Sequence, residues 1–132
     1  MIKTKRSIQW VKEKNKSAYS GIHLIAEFWG GKIIDDSKKI KKILFEAVKR
    51  ANNTPLDIVI HKFQPQGLTG VVLLAESHIA IHTWPEFNYV ALDIYTCGDK
   101  ANPYKSLEYL KEEFQPLKSE LKKIKRGSFC KI

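Results

Sequence analysis

Several things are scarce in this chain, and each scarcity closes off a class of protein. There are two cysteines, Cys97 and Cys130, too few for a disulfide framework, and inside a cell such thiols stay reduced. No apolar run approaches the roughly 20 residues that cross a bilayer. The opening segment, MIKTKRSIQWVKEKNKS, is charged throughout and lacks the apolar centre of a signal peptide. A cytoplasmic protein without a membrane partner is therefore expected. Metal ligands are scarce too: two distant cysteines and the His78/His82 pair make no compact set, so no metal is expected. Repeats, linkers and low-complexity segments are lacking, so residues 1–132 are read as one domain. An apolar fraction of 43% with 11% aromatic residues is enough for a packed core.

Charge is present in excess, +9 overall, but not where a nucleic-acid groove would need it. Residues 1–16 hold six Lys/Arg against one acid, and residues 118–132 hold the same ratio. The stretch between carries 11 basic and 12 acidic side chains, so the excess sits on the two ends. Basic ends of this kind are more often solvated faces than binding stripes. A small RNA-binding protein is a weak rival, and no nucleic-acid partner is expected.

Residues 21–28 alternate, with Ile22, Leu24, Ala26 and Phe28 on one face of a strand. After Gly30-Gly31, Asp36 or Ser37 can cap a helix whose inner stripe is Ile40, Ile43, Leu44, Ala47 and Val48. Leu56–Phe63 reads as a strand and Gln64–Gly67 as a turn. Val71–Ala75 and Ile79–Thr83 are further strands, broken near Glu76-Ser77, and Tyr89–Thr96 alternates again. Asn102-Pro103 suits a helix start, with Leu107, Leu110 and Phe114 facing inward and Pro116 ending it. Residues 117–125 fit strand or helix. The pattern is α+β: an antiparallel sheet with helices on one face. The uncovered face is expected to be apolar. Burying two such faces together gives a two-fold dimer, a four-layer αββα sandwich.

The chemistry is concentrated between Gly67 and Gly98. Glu76-Ser77-His78, His82, Trp84-Pro85-Glu86 and Cys97 crowd into strands that have no structural need for them. A serine hydroxyl can attack the preceding carbonyl, turning the peptide bond into an ester. That step needs strain, oxyanion donors and a proton mover. Elimination of the ester then leaves dehydroalanine, whose hydrolysis releases ammonia and a pyruvoyl group. Read alone, Ser77 is a bland strand-end serine. His82 is the natural proton mover, because imidazole titrates near neutrality. Yet Ser77 and His82 are five apart, which puts them on opposite faces of a straight strand. Either a bulge intervenes or His82 serves the serine of a second copy. Cys97 could be inert packing, although a protonated thiol can also donate to a carbanion. Cys130 has no comparable setting.

HKFQPQG, ESH, IHTWPE and YTCG, in this order, resemble the small prokaryotic S-adenosylmethionine decarboxylase proenzymes. The resemblance runs from about Gly21 to Gly98. It implies autocatalytic cleavage between Glu76 and Ser77, leaving fragments 1–76 and 77–132, the second headed by a covalent pyruvoyl cofactor made from Ser77. The substrate amine of S-adenosylmethionine would form a Schiff base with it and lose carbon dioxide. His82 would move protons in processing and catalysis, and Cys97 would be the proton donor. Phe63 matches a ring that stacks on adenine, and Glu86 an acid that bonds the ribose. Thr69 stands where the family usually has serine in the processing machinery. The resemblance also places Phe63, Thr69, His82 and Glu86 across a homodimer interface from Ser77 and Cys97. Relatives on this scaffold act on arginine or ornithine, and a catalytically dead paralogue is a further alternative.

Overall fold

The computed structural model describes residues 11–12, 18–98 and 100–128; Cys130 and most of the basic N-terminal segment lie outside them. Strands β1 (Val11–Lys12) and β2 (Ala18–Tyr19) pair as a short ribbon. The rest is built on β3 (Gly21–Trp29), β4 (Thr54–Lys62), β5 (Leu68–Ala75), β6 (Ser77–Trp84), β7 (Tyr89–Cys97) and β8 (Lys118–Arg126). They form one six-stranded sheet in the order β4-β5-β6-β7-β3-β8, with every neighbouring pair antiparallel.

Two helices complete the fold, α1 (Ser37–Arg50) and α2 (Pro103–Phe114). Asp36 is the cap of α1, accepting from the Lys38 amide at 2.9 Å, and the expected stripe from Ile40 to Val48 is fully buried. Burying each of its Ile and Leu side chains contributes about 1.5–3 kcal/mol. Helix α2 starts on Pro103, but Asn102 makes no side-chain cap; here the rigid proline φ sets the first turn instead. Gln115 leaves α2 in the left-handed region (φ 46°) just before Pro116. Ser106 on α2 donates to the Ala47 carbonyl of α1, joining the helices.

Leu24, Ala26, Phe28, Val72, Leu74, Ile79, Ile81, Leu92 and Ile94 share one core with Ile40, Leu44, Leu107, Leu110 and Phe114. Within each strand these residues keep the same parity, so a single sheet face meets the helices. The α+β antiparallel expectation is met. Residues 118–126 resolve as the edge strand β8, exposed along its whole length.

The opposite sheet face is less apolar than alternation suggested. It exposes Val59, Leu73, Trp29 and Trp84, yet the register also puts all four histidines there: His23, His61, His78 and His82. The difference arises because the same period-2 positions that would extend an apolar sheet hold polar rings. Among the described residues no helix is long and apolar enough to cross a membrane.

Candidate active site

The reactive side chains fall into two groups at opposite ends of β6. At its start, where β5 turns into β6, Ser77 has φ 106°. An L residue other than glycine rarely occupies that region, and holding it there costs of order 1–3 kcal/mol. The Ala75–Glu76 peptide before it is cis. Ser77 pairs in register with Thr96, and its Oγ lies 2.9 Å from the Sγ of Cys97, at the end of β7. Hydroxyl and thiol are both half-buried.

Gly21 is what lets this contact form. A Cβ built on Gly21 would stand 2.2 Å from the Thr96 carbonyl oxygen and 3.0 Å from Cys97 Sγ. Gly21→Ala must therefore push β7 or the thiol aside. We expect it to cost about 1–3 kcal/mol of stability and to slow the cleavage at Ser77 that the motif resemblance implies. Thermal melting and a cleavage time course check this together.

At the far end of β6 a cleft of about 290 Å³ is lined by Phe63, Gln66, Thr69, His82, Trp84 and Glu86, with Leu68 and Thr83 at its base. Thr69 and His82 are cross-strand neighbours, and Thr69 Oγ1 lies 3.0 Å from His82 Nδ1. The threonine hydroxyl is thus placed to orient the imidazole. Glu86 lies within the short 3-10 turn Pro85–Phe87 beyond Trp84, and Gln66 Nε2 donates to its Oε2 at 2.7 Å. Phe63, 47% exposed, stands at the rim in an edge-to-face arrangement with His61. An exposed ring, an oriented imidazole and a carboxylate around one cleft suit a flat heteroaromatic ligand carrying hydroxyls.

The two groups do not meet within one chain. Strand β6 is paired continuously from Ser77 to Thr83 on both sides, with no bulge. Five residues of extended strand separate Ser77 from His82, about 17 Å at ~3.4 Å per residue. Their parity differs as well. Ser77 is paired in the helix-side register, opposite the buried Thr96, and His82 in the open-face register, opposite Ala91.

Between the two groups the open face carries a row of rings. His78, Tyr95 and His23 are successive cross-strand neighbours, with Tyr95 centred 5.9 Å from His78 and 5.4 Å from His23. Asp93 Oδ1 lies 3.2 Å from His23 Nε2, and Arg126 donates to its Nδ1 at 3.1 Å. Burial pushes the His78 imidazole below its ordinary value; His23 and Arg126 add to this, and Asp93 opposes it. Nearer the cleft, Tyr89 stacks on Trp29 at 4.2 Å and on Trp84 at 5.3 Å. Burial, and then its bond to Glu27, push its phenol up to about 12. Among the described residues no three His, Cys, Asp or Glu side chains converge to hold a metal.

This distribution of groups can be set beside known proteins. Residues 22–127 match the S-adenosylmethionine decarboxylase family. The chain belongs to it. A proenzyme of Clostridium kluyveri is 41% identical over 114 residues, covering 85% of this chain and 90% of its own. One from Pyrococcus abyssi is 48% identical over 109 residues, covering 81% and 78%. The crystal structure of the Aquifex aeolicus adenosylmethionine decarboxylase superposes with a TM-score of 0.78 at 40% identity, covering 83% of this chain and 92% of that one.

Membership in this family of carboxy-lyases meets the expectation drawn from the four motifs. What the motifs did not bring out is the company the site residues keep. Gln66 and Trp84 line the cleft, although both sit inside quoted motifs as QPQG and TWPE. Gly21 abuts Cys97 from the adjoining strand, and only the pairing of β3 with β7 reveals it.

Proposed function

We propose that this chain is a self-processing, pyruvoyl-dependent decarboxylase of S-adenosylmethionine whose active sites are shared between two subunits. Cleavage between Glu76 and Ser77 gives fragments 1–76 and 77–132, with Ser77 becoming the pyruvoyl group. The observation that carries this reading is the division of the site. Ser77 and Cys97 share one end of the sheet, while Phe63, Thr69, His82 and Glu86 share the cleft at the other. Since β6 has no bulge to bring them together, the alternative raised by parity remains: each His82 serves the partner subunit's Ser77. Two open faces packed in two-fold symmetry would cover Val59, Leu73, Trp29 and Trp84 and bring each cleft to the other subunit's sheet end, where Ser77 is reached beside the open-face Cys97.

Ser77 suits the precursor of such a group. Its backbone is held in an unfavourable region, so cleavage of the neighbouring bond releases strain. Its Oγ is half-buried beside a thiol rather than dispersed in water. The pyruvoyl group supplies an electron-accepting carbonyl conjugated to the chain. Everything else falls to side chains. Thr69 fixes the His82 ring through Nδ1, so His82 moves protons at the partner's Ser77 during processing and at the substrate afterwards. Cys97 Sγ delivers the proton that replaces the departing carboxylate. Phe63 takes the adenine face and Glu86 the ribose hydroxyls, and ring faces lining the cleft also favour the cationic sulfonium. The product is the aminopropyl donor for spermidine.

Intact mass of the denatured protein, followed by a decarboxylation panel, tests this. Two fragments meeting at Glu76/Ser77, the second with a pyruvoyl mass at its front, and release of carbon dioxide from S-adenosylmethionine are expected. Turnover of arginine or ornithine alone would overturn the substrate assignment. A chain that stays whole on long incubation would overturn the cofactor.

A further inference from the structure

The cleft depends on a residue that no motif contains. Asp35 lies in the segment between β3 and α1, next to the cap of that helix. Its Oδ1 accepts from the Gly67 amide at 3.0 Å, and its Oδ2 from Lys62 Nζ at 2.5 Å. Lys62 ends β4, and Gly67 is the last residue before β5. One carboxylate therefore grips both ends of the turn over residues 63–67. The turn closes on itself as well, the Phe63 amide donating to the Gly67 carbonyl at 2.8 Å. This turn holds Phe63 at the rim, and its Gln66 donates to Glu86. Gly67 is at φ 93°, and a Cβ there would stand 3.0 Å from the Thr83 carbonyl oxygen, so the turn has little room to slide.

We infer that Asp35 is a positioning residue for substrate binding, clamping the 63–67 turn so that Phe63 and the Gln66–Glu86 pair are set for the nucleoside. Stability alone does not account for it. Both partners of the ion pair are about 30% exposed, Lys62 at 30% and Asp35 at 28%, and partly exposed pairs contribute about 0–1 kcal/mol. Positioning is far more sensitive, because a displacement of about 1 Å can cost up to a hundredfold. Asp35 also ties the turn to the start of α1, whose stripe is anchored in the core. The turn thereby inherits the rigidity of a helix it does not touch in sequence.

The inference rests on the proposed use of the cleft, and its test separates the two. Binding is measured by calorimetric titration with S-adenosylmethionine in a Ser77→Ala background, where no turnover occurs. Asp35→Ala should weaken binding about tenfold. In otherwise wild-type protein it should raise KM by a similar factor, with kcat within about twofold and the fragment masses unchanged. Asp35→Asn keeps an acceptor for the Gly67 amide and loses the charge opposite Lys62. It should fold readily and fall between, about threefold. Unchanged affinity and KM in both variants, with wild type active, would sink the clamp and leave the proposed function standing. So would losses of kcat and cleavage at constant KM, which mark a purely structural role. If wild type releases no carbon dioxide while Asp35→Ala still weakens binding, the clamp stands and the decarboxylase reading falls.

Discussion

Ser77→Ala is expected to yield one uncut chain of 132 residues with no detectable decarboxylation. By the proposed mechanism, without the hydroxyl no ester forms at the Glu76–Ser77 bond, no pyruvoyl group appears, and the substrate's electron pair has no acceptor. The loss is absolute rather than graded, because a missing cofactor is not replaced by binding energy elsewhere. Denaturing mass spectrometry and a carbon dioxide assay read it directly, and normal cleavage of this variant would remove serine from the mechanism. The same position offers a control for strain. Ser77 sits at φ 106°, which alanine tolerates as poorly as serine and glycine tolerates well. Ser77→Gly should therefore also stay uncut, yet be about 1 kcal/mol more stable than Ser77→Ala. Equal melting temperatures would show that the strand start relaxes once the hydroxyl is gone.

Much of the fold was legible because its hydrophobic periods are clean. The β3 alternation from Ile22 to Phe28 and the α1 stripe from Ile40 to Val48 are both found where periodicity puts them. Edge strand β8 was not legible, since KSELKKIKR is polar on both faces. Its extended form comes from pairing with β3 rather than from its own pattern. The open face shows the opposite failure. Alternation locates a face but not its chemistry, and four histidines occupy positions that a covered apolar sheet would give to Val or Ile.

For the site, residue types were legible and their grouping only partly so. The odd spacing of Ser77 and His82 already posed a choice between bulge and second subunit, and the unbroken β6 register removes the bulge. The left-handed backbone of Ser77 leaves no mark in composition, because nothing about Glu-Ser-His forbids ordinary strand geometry. Asp35 was invisible for a different reason. It acts on Gly67, 32 positions away, through a hydrogen bond that exists only once the α1 segment has docked beside the β4–β5 turn.

The proposed sharing of sites between subunits gives the second large effect. His82→Ala alone and Cys97→Ala alone are each expected to be nearly inactive, as every site of either homodimer lacks one group. Co-expressed, they form mixed dimers in which one site takes Cys97 and Ser77 from one chain and His82 from the other, while the second site lacks both. With random pairing, half the dimers are mixed and half their sites are whole, so roughly one quarter of wild-type activity returns. Processing follows the same logic: the serine of the His82→Ala chain is served by the imidazole of its partner and should be cut. Mixing after purification should restore less, in proportion to how slowly the dimers exchange. A site contained within one subunit would give no recovery at any mixing ratio, because no chain in the mixture carries both groups. It would also require β6 to fold back over the roughly 17 Å that separates Ser77 from His82 in an extended strand, which its continuous pairing to β5 and β7 forbids.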